Sequence, residues 1–406
     1  MESIQIRSIH SREELLEVYR LLDGCFPVGQ AYFQSRLDHD TAYSMETTWV
    51  AVVDGVIAST VQLFPYPFRV GSAELLAGGI GSVGTLEAYR GRGLSSRILE
   101  ALTRWMERSG YDLSVLFAVI HPFYEKAGWT IVPEPKWKLD VQRLPVDAPA
   151  PEDCTVQAIR PEDHLPELGA VYDAFNRERT LTRIRPPAYW RDMLHWQASQ
   201  GGAWSAAFRS GRMIAYGRLD KERNGISQLA ELCYLPGEAG AALPVLYHLA
   251  GQLPAVRLIE AKLPGDHVLL PYLREWGAQE EEFRYAMWKL ISLPSIGRKL
   301  QPLLEKRLEG HSVPSFDLTI RCDGQALGLS YRKCRLYLSD NPPGADACSV
   351  NLGQAELVAM LLQGYRPEMQ MEGEFRMGGC EESTVRRLLA ALFPEQPFVY
   401  SPFDKF

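Results

Sequence analysis

Residues 90–95, Arg-Gly-Arg-Gly-Leu-Ser, place two guanidinium groups and two glycines at one turn. The turn lies between a strand-like run ending at Val83–Leu86 and an apolar-periodic run from Leu94. A helix N-terminus presents unpaired N–H groups and a partial positive charge, so it suits phosphate. Gly91 and Gly93 let the backbone approach an anion and adopt conformations closed to other residues. Arg90 and Arg92 can add charge-assisted bonds. The loop lacks the Lys-Ser/Thr ending of a Walker A motif and the third glycine of a dinucleotide fingerprint. Two readings stand at this level: a cradle for a phosphate-bearing ligand, or a flexible turn entering a helix. The eight histidines are scattered without metal-ligand spacing. Cys25, Cys154, Cys233, Cys322, Cys334, Cys348 and Cys380 include no CxxC pair, which predicts free thiols, no zinc site and no disulfide framework.

The elements that must hold this turn follow from periodicity. Ser11 caps a helical run, SREELLEVYRLLDGCF, and TTWVAVVDGVIASTVQLFPYPFRV is strand-rich with a hairpin turn at Asp54-Gly55. LAGGIGSVGTL is a further strand, GLSSRILEALTRWMERSG a helix stopped at Gly110, DLSVLFAVI a short buried strand, and PFYEKAGW a short helix ending at Gly128. This mixed α/β unit closes near PEPKWKLDVQRL, and VDAPAPE at 146–152 is a linker. The pattern then recurs. WSAAFRSGRMIAYGRL from Trp204 resembles WVAVVDGVIASTVQL from Trp49, and LPYLREWGA at Leu270–Ala278 resembles HPFYEKAGW at His121–Trp129. From residue 290 the texture becomes α+β, with strands SFDLTIRCDG, ALGLSYRKCRLYLSD and EFRMGG and helices GQAELVAMLLQG and ESTVRRLLAALFP. The expected division is 1–146, 147–289 and 290–406, which suits 406 residues at 46% hydrophobic content.

Net charge is −7 and no basic run occurs, so a nucleic-acid partner is not expected. The modest acidic excess suits a small cationic substrate. No signal pattern opens the chain and no stretch is long enough to span a bilayer, so a cytoplasmic protein with no membrane partner is expected.

Arg90–Ser95 resembles motif A of the GNAT N-acetyltransferases, with Ser95 where Gly or Ala is usual, and PFYEKAGW resembles a second signature of that superfamily. The resemblance implies that the amides of Gly91, Arg92, Gly93, Leu94, Ser95 and Ser96, with Arg90, hold the pyrophosphate of acetyl-CoA. It also implies that the strand edge at Val83, Gly84 and Thr85 pairs with the pantetheine arm. Tyr124 would then be the general acid that protonates the leaving thiolate; a phenol pKa of ~10 keeps it protonated at neutral pH. The amphipathic-helix reading of the same stretch needs no chemistry. In the second copy Leu273 stands opposite Tyr124, and ELCYLPGEAGAALPVL replaces motif A without Arg-Gly-x-Gly. One active and one degenerate copy are expected.

Two GNAT-like units followed by an α+β unit resemble the Eis (enhanced intracellular survival) acetyltransferases along the whole chain. That resemblance implies acetyl-CoA as co-substrate without a metal, and acetylation of primary amines on a cationic acceptor such as an aminoglycoside, a polyamine or a lysine. It also implies a sterol-carrier-protein-like third domain, a hexamer, and a Phe406 whose α-carboxylate acts as the base. The alternative function is a lipid or sterol carrier with a vestigial acetyltransferase fold. Phe398, Tyr400, Phe403 and Phe406 make the last residues aromatic enough to favour burial over a frayed tail.

Overall fold

The fold is described from a computed structural model, over residues 3–145, 151–198, 201–309, 313–340, 348–371 and 381–406. In chain order the first unit contains β1 (Ile4–Ser8), α1 (Arg12–Cys25), α2 (Gln30–Asp38), β2 (Thr48–Val53), β3 (Val56–Val70), β4 (Ala73–Thr85), α3 (Leu94–Arg108), β5 (Leu113–Phe117), α4 (His121–Glu125), β6 (Thr130–Ile131) and β7 (Glu134–Asp140). The second contains β8 (Cys154–Ala158), α5 (Leu165–Asn176), α6 (Pro187–Ala198), β9 (Gly202–Arg209), β10 (Arg212–Asp220), β11 (Ile226–Tyr234), α7 (Ala242–Gln252), β12 (Leu258–Ala261), α8 (Leu269–Glu275), β13 (Gln279–Phe283) and β14 (Ala286–Leu290).

The two units repeat one plan, and their hairpins share a turn. Asp54-Gly55 and Ser210-Gly211 both take positive φ at both positions, 48° and 85° in the first, 49° and 77° in the second. A two-residue hairpin requires that handedness to match strand twist. Ser11 caps α1 by accepting from the Glu14 N–H, Gly110 follows α3 at φ 79°, and Gly128 follows α4 at φ 89°.

The sheets are not closed within their own units. One runs β1-β2-β3-β4-β5-β14-β6 and the other β13-β7-β12-β11-β10-β9-β8. Thus β14, from the second unit, is inserted between β5 and β6, and β7, from the first unit, between β12 and β13. The strand expected to close the first unit instead completes the second. Strand alternation does not say which sheet a strand joins, so this exchange is decided by three-dimensional packing alone.

The third unit comprises α9 (Leu293–Glu309), β15 (Phe316–Cys322), β16 (Gln325–Arg332), β17 (Arg335–Ser339), β18 (Cys348–Asn351), α10 (Gln354–Gln363) and α11 (Glu382–Leu392), with sheet order β17-β16-β15-β18. Its helices bury their apolar faces in a core continuous with the first sheet: Leu300, Leu357 and Leu389 share it with Tyr66, Phe68 and Trp288. The EFRMGG strand and residues 146–150 of the linker lie outside the described residues. Cys25, Cys154, Cys233, Cys322 and Cys334 are free, but Cys348 is disulfide-bonded, against the expectation of free thiols throughout. Sequence spacing does not report which distant cysteines the fold brings together.

The C-terminal segment is anchored, not frayed. Tyr400, Phe403 and Asp404 are buried, and Tyr400 stacks on Tyr66 at 5.1 Å. Arg185, fully buried, donates to Asp404 through Nε (2.9 Å) and Nη2 (2.8 Å), and to Glu231 through Nη1 (3.0 Å) and Nη2 (2.7 Å). Tyr216 and Ser401 donate to Glu231, Tyr189 donates to Asp404, and the guanidinium lies 3.8 Å over Tyr172. Burial alone would lower the Arg185 pKa, but Asp404 and Glu231 hold it well above its ordinary value.

Breaking a buried pair while leaving the other charges in place is expected to cost about 3–5 kcal/mol. Arg185→Ala, which strands two carboxylates, should shift the denaturant midpoint by an amount of that order. A shift within error would mean that the segment is held by its aromatic side chains alone.

Candidate active site

The turn at 90–93 adopts the geometry its glycines permit. Gly91 and Gly93 have φ of 75° and 68°. Gly93 is the N-cap of α3, and no side chain caps the amides that follow it or places an acid in the first turn. The helix start is therefore bare and positively polarised. Arg90 donates through Nε to the Thr85 carbonyl at 3.3 Å, and the Arg92 guanidinium lies 5.3 Å over Tyr89. Ser95 has a further task. Its hydroxyl meets those of Thr85 (2.8 Å) and Ser59 (3.1 Å), and Ser59 donates to the Gly84 carbonyl (2.9 Å). This hydroxyl cluster ties the first turn of α3 to the end of β4, so serine at that position is structurally occupied.

Beside the turn the first sheet splits. β4 pairs in parallel with β5 only from Ala77↔Leu113 to Ile80↔Leu116, although β4 runs on to Thr85. From Gly81 to Thr85, including Val83, Gly84 and Thr85, the edge of β4 that faced β5 has no strand partner among the described residues. A bulge falls in this stretch: Gln62↔Gly81 is followed by Thr60↔Gly84, and Ser82 takes φ 49°. The bulge turns the backbone of β4 just where β5 leaves it.

Phe406 enters at the split. Its ring stacks on Phe64 (5.4 Å) and tilts against Phe117, the last residue of β5 (5.7 Å). A methyl group on Gly79 would overlap that ring, and one on Gly81 would overlap Phe64. Gly79 and Gly81 thus make room for aromatic rings against the sheet. Glycines inside a strand are the sequence signal for such a close approach.

Tyr124 lies on α4, at the same end of the sheet, packed edge-on to Phe123 at 4.9 Å. Its hydroxyl makes no hydrogen bond to any described residue, and burial raises its pKa. It is therefore protonated at neutral pH and available as a donor. His121 has its Nε2 3.0 Å from the Ala118 carbonyl, the ordinary satisfaction of a loop histidine. The counterpart Leu273 is 3% exposed in the core of the second unit.

The stretch at 26–40 contains the helix α2. Asp38 is engaged by Arg12 (2.6 Å) and the Tyr19 hydroxyl (2.8 Å), and Asp40 accepts from the Ala42 N–H. With Phe64 and Phe406, α2 walls a pocket of about 250 Å³. Phe26, Val28, Phe33 and Leu37 supply apolar surface, and Tyr32, Arg36 and Ser82 the polar groups. The Arg36 guanidinium lies 4.0 Å over Trp196 of α6, so the second unit backs the pocket. Among the described residues no cluster of His, Cys, Asp and Glu is placed to hold a metal ion.

The second sheet splits as well. β11 pairs with β12 only from Ile226↔Leu258 to Leu229↔Ala261. Just beyond, Ser401 donates to the Ala230 carbonyl (3.2 Å), and Glu231 belongs to the Arg185–Asp404 network. The gap left open in the first unit is filled in the second by residues 401–404.

Residues 5–132 match the family profile of the acetyltransferase (GNAT) domain. The chain is 26% identical over 335 residues, 80% of its length and 80% of theirs, to the N-acetyltransferases Eis of Mycobacterium tuberculosis and Mycobacterium bovis. In fold it is similar to Eis1 from Mycobacterium abscessus, with TM-score 0.65 at 16% identity over 99% of this chain and 100% of that one. A conserved protein of Enterococcus faecalis V583 superimposes with TM-score 0.76 at 17% identity over 100% of both chains.

A Cβ at Gly93 would meet no atom within 4 Å, so its substitution acts through backbone strain alone. Forcing a branched residue to φ 68° costs roughly 1–2 kcal/mol. Gly93→Val should leave the protein folded and weaken coenzyme A binding by about tenfold or more in calorimetry. Unchanged affinity would remove the turn from the binding site.

Proposed function

Because the chain is an Eis-like N-acetyltransferase of the GNAT superfamily, we propose that it moves the acetyl group of acetyl-CoA directly onto a primary amine bound beside Phe406. The observation that carries this reading is the split between β4 and β5. A bare helix start borders it on one side and an aromatic pocket on the other. The residues present fit coenzyme A. Glycines at 91 and 93, an uncapped helix start and two arginines suit a pyrophosphate, and the partnerless edge at Val83–Thr85 suits an amide-bearing arm.

Acetyl-CoA supplies an activated acyl group. The amine lone pair attacks the thioester carbon, the new C–N bond forms, and the C–S bond breaks. Tyr124 gives its phenolic proton to the departing sulfur. The proton lost by the amine goes to the α-carboxylate of Phe406, directly or through water. A reference pKa of ~3.5 makes that carboxylate a weak base, so its role as base requires partial burial of the carboxylate to raise it. The neighbouring Lys405 works against that rise. Its ammonium lies 5.2 Å over Phe117 and its pKa is lowered, first by desolvation and then by Lys262.

In this reading the first unit, residues 1–146, carries the chemistry. The second, 147–289, carries the wall behind Arg36 and the anchor of the C-terminal segment. The third, 290–406, is sterol-carrier-like and delivers Phe406. The protein assembles as a hexamer, on the strength of the resemblance. The lipid-carrier alternative is disfavoured because α10 and α11 spend their apolar faces on the shared core. A cationic acceptor rested on net charge and resemblance, and the pocket itself presents a cation, Arg36.

Tyr124→Phe keeps the ring and removes the proton, so kcat should fall by roughly 10²–10⁴-fold with coenzyme A affinity unchanged. Near-normal turnover would assign the acid elsewhere. Adding a few residues after Phe406 moves the carboxylate without altering any side chain. Turnover should be abolished while coenzyme A still binds, and full activity in the extended protein would return Phe406 to packing alone.

A further inference from the structure

The pocket beside Phe406 is aromatic, small and cationic. Its lining contains no acidic side chain, and its charged side chain is Arg36. That guanidinium lies 4.0 Å over Trp196 and 5.3 Å from the centre of Phe64, so aromatic rings engage its planar surface and its N–H edge is left to bond. Nε is buried and has no hydrogen-bond partner. Among the described residues Arg36 makes neither an ion pair nor a hydrogen bond. Of the charged groups around it, Arg183 has the same sign, and Asp40 acts only at longer range while its Oδ1 accepts from Ala42. By contrast, the buried Arg185 guanidinium is satisfied by the carboxylates of Asp404 and Glu231. A fork of N–H donors left open towards a pocket matches a carboxylate brought by a ligand.

Resting on the acetyl-transfer reading above, we propose that the amine acceptor is a small aromatic amine that itself carries a carboxylate. An aromatic α-amino acid is the simplest member of that class. The carboxylate takes the edge of Arg36, the ring packs among Phe26, Phe33 and Phe64, and the amine is left facing Phe406. The size agrees: about 250 Å³ is below the ~300–1,000 Å³ of sites for drug-sized ligands, too small for a multi-ring aminoglycoside. The charge agrees as well. A polycation would meet Arg36 with no acidic side chain in the lining and only the Phe406 α-carboxylate to oppose it, whereas a nearby cation favours the uncharged, nucleophilic form of the acceptor amine.

The test uses the full-length protein loaded with coenzyme A. Calorimetry compares N-acetyl-L-phenylalanine with N-acetylphenethylamine, the same product without its carboxylate. Thiol release from acetyl-CoA compares L-phenylalanine, phenethylamine and spermidine. The carboxylated product should bind about tenfold or more tightly, and L-phenylalanine should have the highest kcat/KM. Arg36→Gln should lower kcat/KM for L-phenylalanine by about ten- to a hundredfold more than for phenethylamine, while Arg36→Lys keeps part of the preference. Equal binding of the two products, a preference for spermidine, or a preference that survives Arg36→Gln each overturns the inference. Carboxylate-dependent product binding without transfer to any amine would support the pocket assignment and sink the acetyl-transfer reading instead.

Discussion

The Arg185 guanidinium binding Asp404 and Glu231 at once is the contact on which the working arrangement depends. One partner lies two residues before Phe406, and the other on β11 of the second unit. All three charges are removed from water, so no member can leave without stranding the others. Such a network is an expensive way to gain stability and an effective way to fix a register. Slipping the segment by one residue would take Asp404 off Arg185 and withdraw Phe406 from Gly79. The aromatic contacts of Tyr400 and Phe403 supply the apolar burial, and the ion network decides where along the chain that burial happens.

The duplicated plan explains why such an anchor exists. Both sheets split after four paired positions of their central parallel strands. In the first unit the split is bordered by a bare helix start with two left-handed glycines. In the second, α7 starts from Ala241 without an arginine turn, and residues 401–404 occupy the gap. The second copy has turned a ligand-sized opening into a docking slot for the protein's own segment. The reciprocal exchange of β7 and β14 makes each sheet depend on the other unit for an internal strand, so the two splits are held in fixed relation.

Much of the local structure was legible in the sequence because its causes are local. The Ser11 cap, the left-handed hairpin turns, the stop at Gly110 and the strand–turn–helix around Arg90–Gly93 follow from residue types within a few positions of one another. The repeat was legible for the same reason, since its hairpin turn and its α4-like helix recur at similar offsets. The helix α2 escaped because Gly29 and the mixed residues after it give little amphipathic pattern.

What the sequence determined by itself was thus the set of elements, the duplication, and the loss of Arg-Gly-x-Gly from the second copy. Tertiary structure alone decided which sheet β7 and β14 complete, that Cys348 is oxidised, and that Gly79 of β4 faces Phe406. It also decided that Asp38 is spent on Arg12 and Tyr19 while Arg36 is left open to the pocket. The physical reason is one of range. Caps, turns and periodicity are contests among neighbours in the chain. Strand exchange, charge satisfaction and ring contacts are settled between residues from about twenty to several hundred positions apart, and no spacing rule records them.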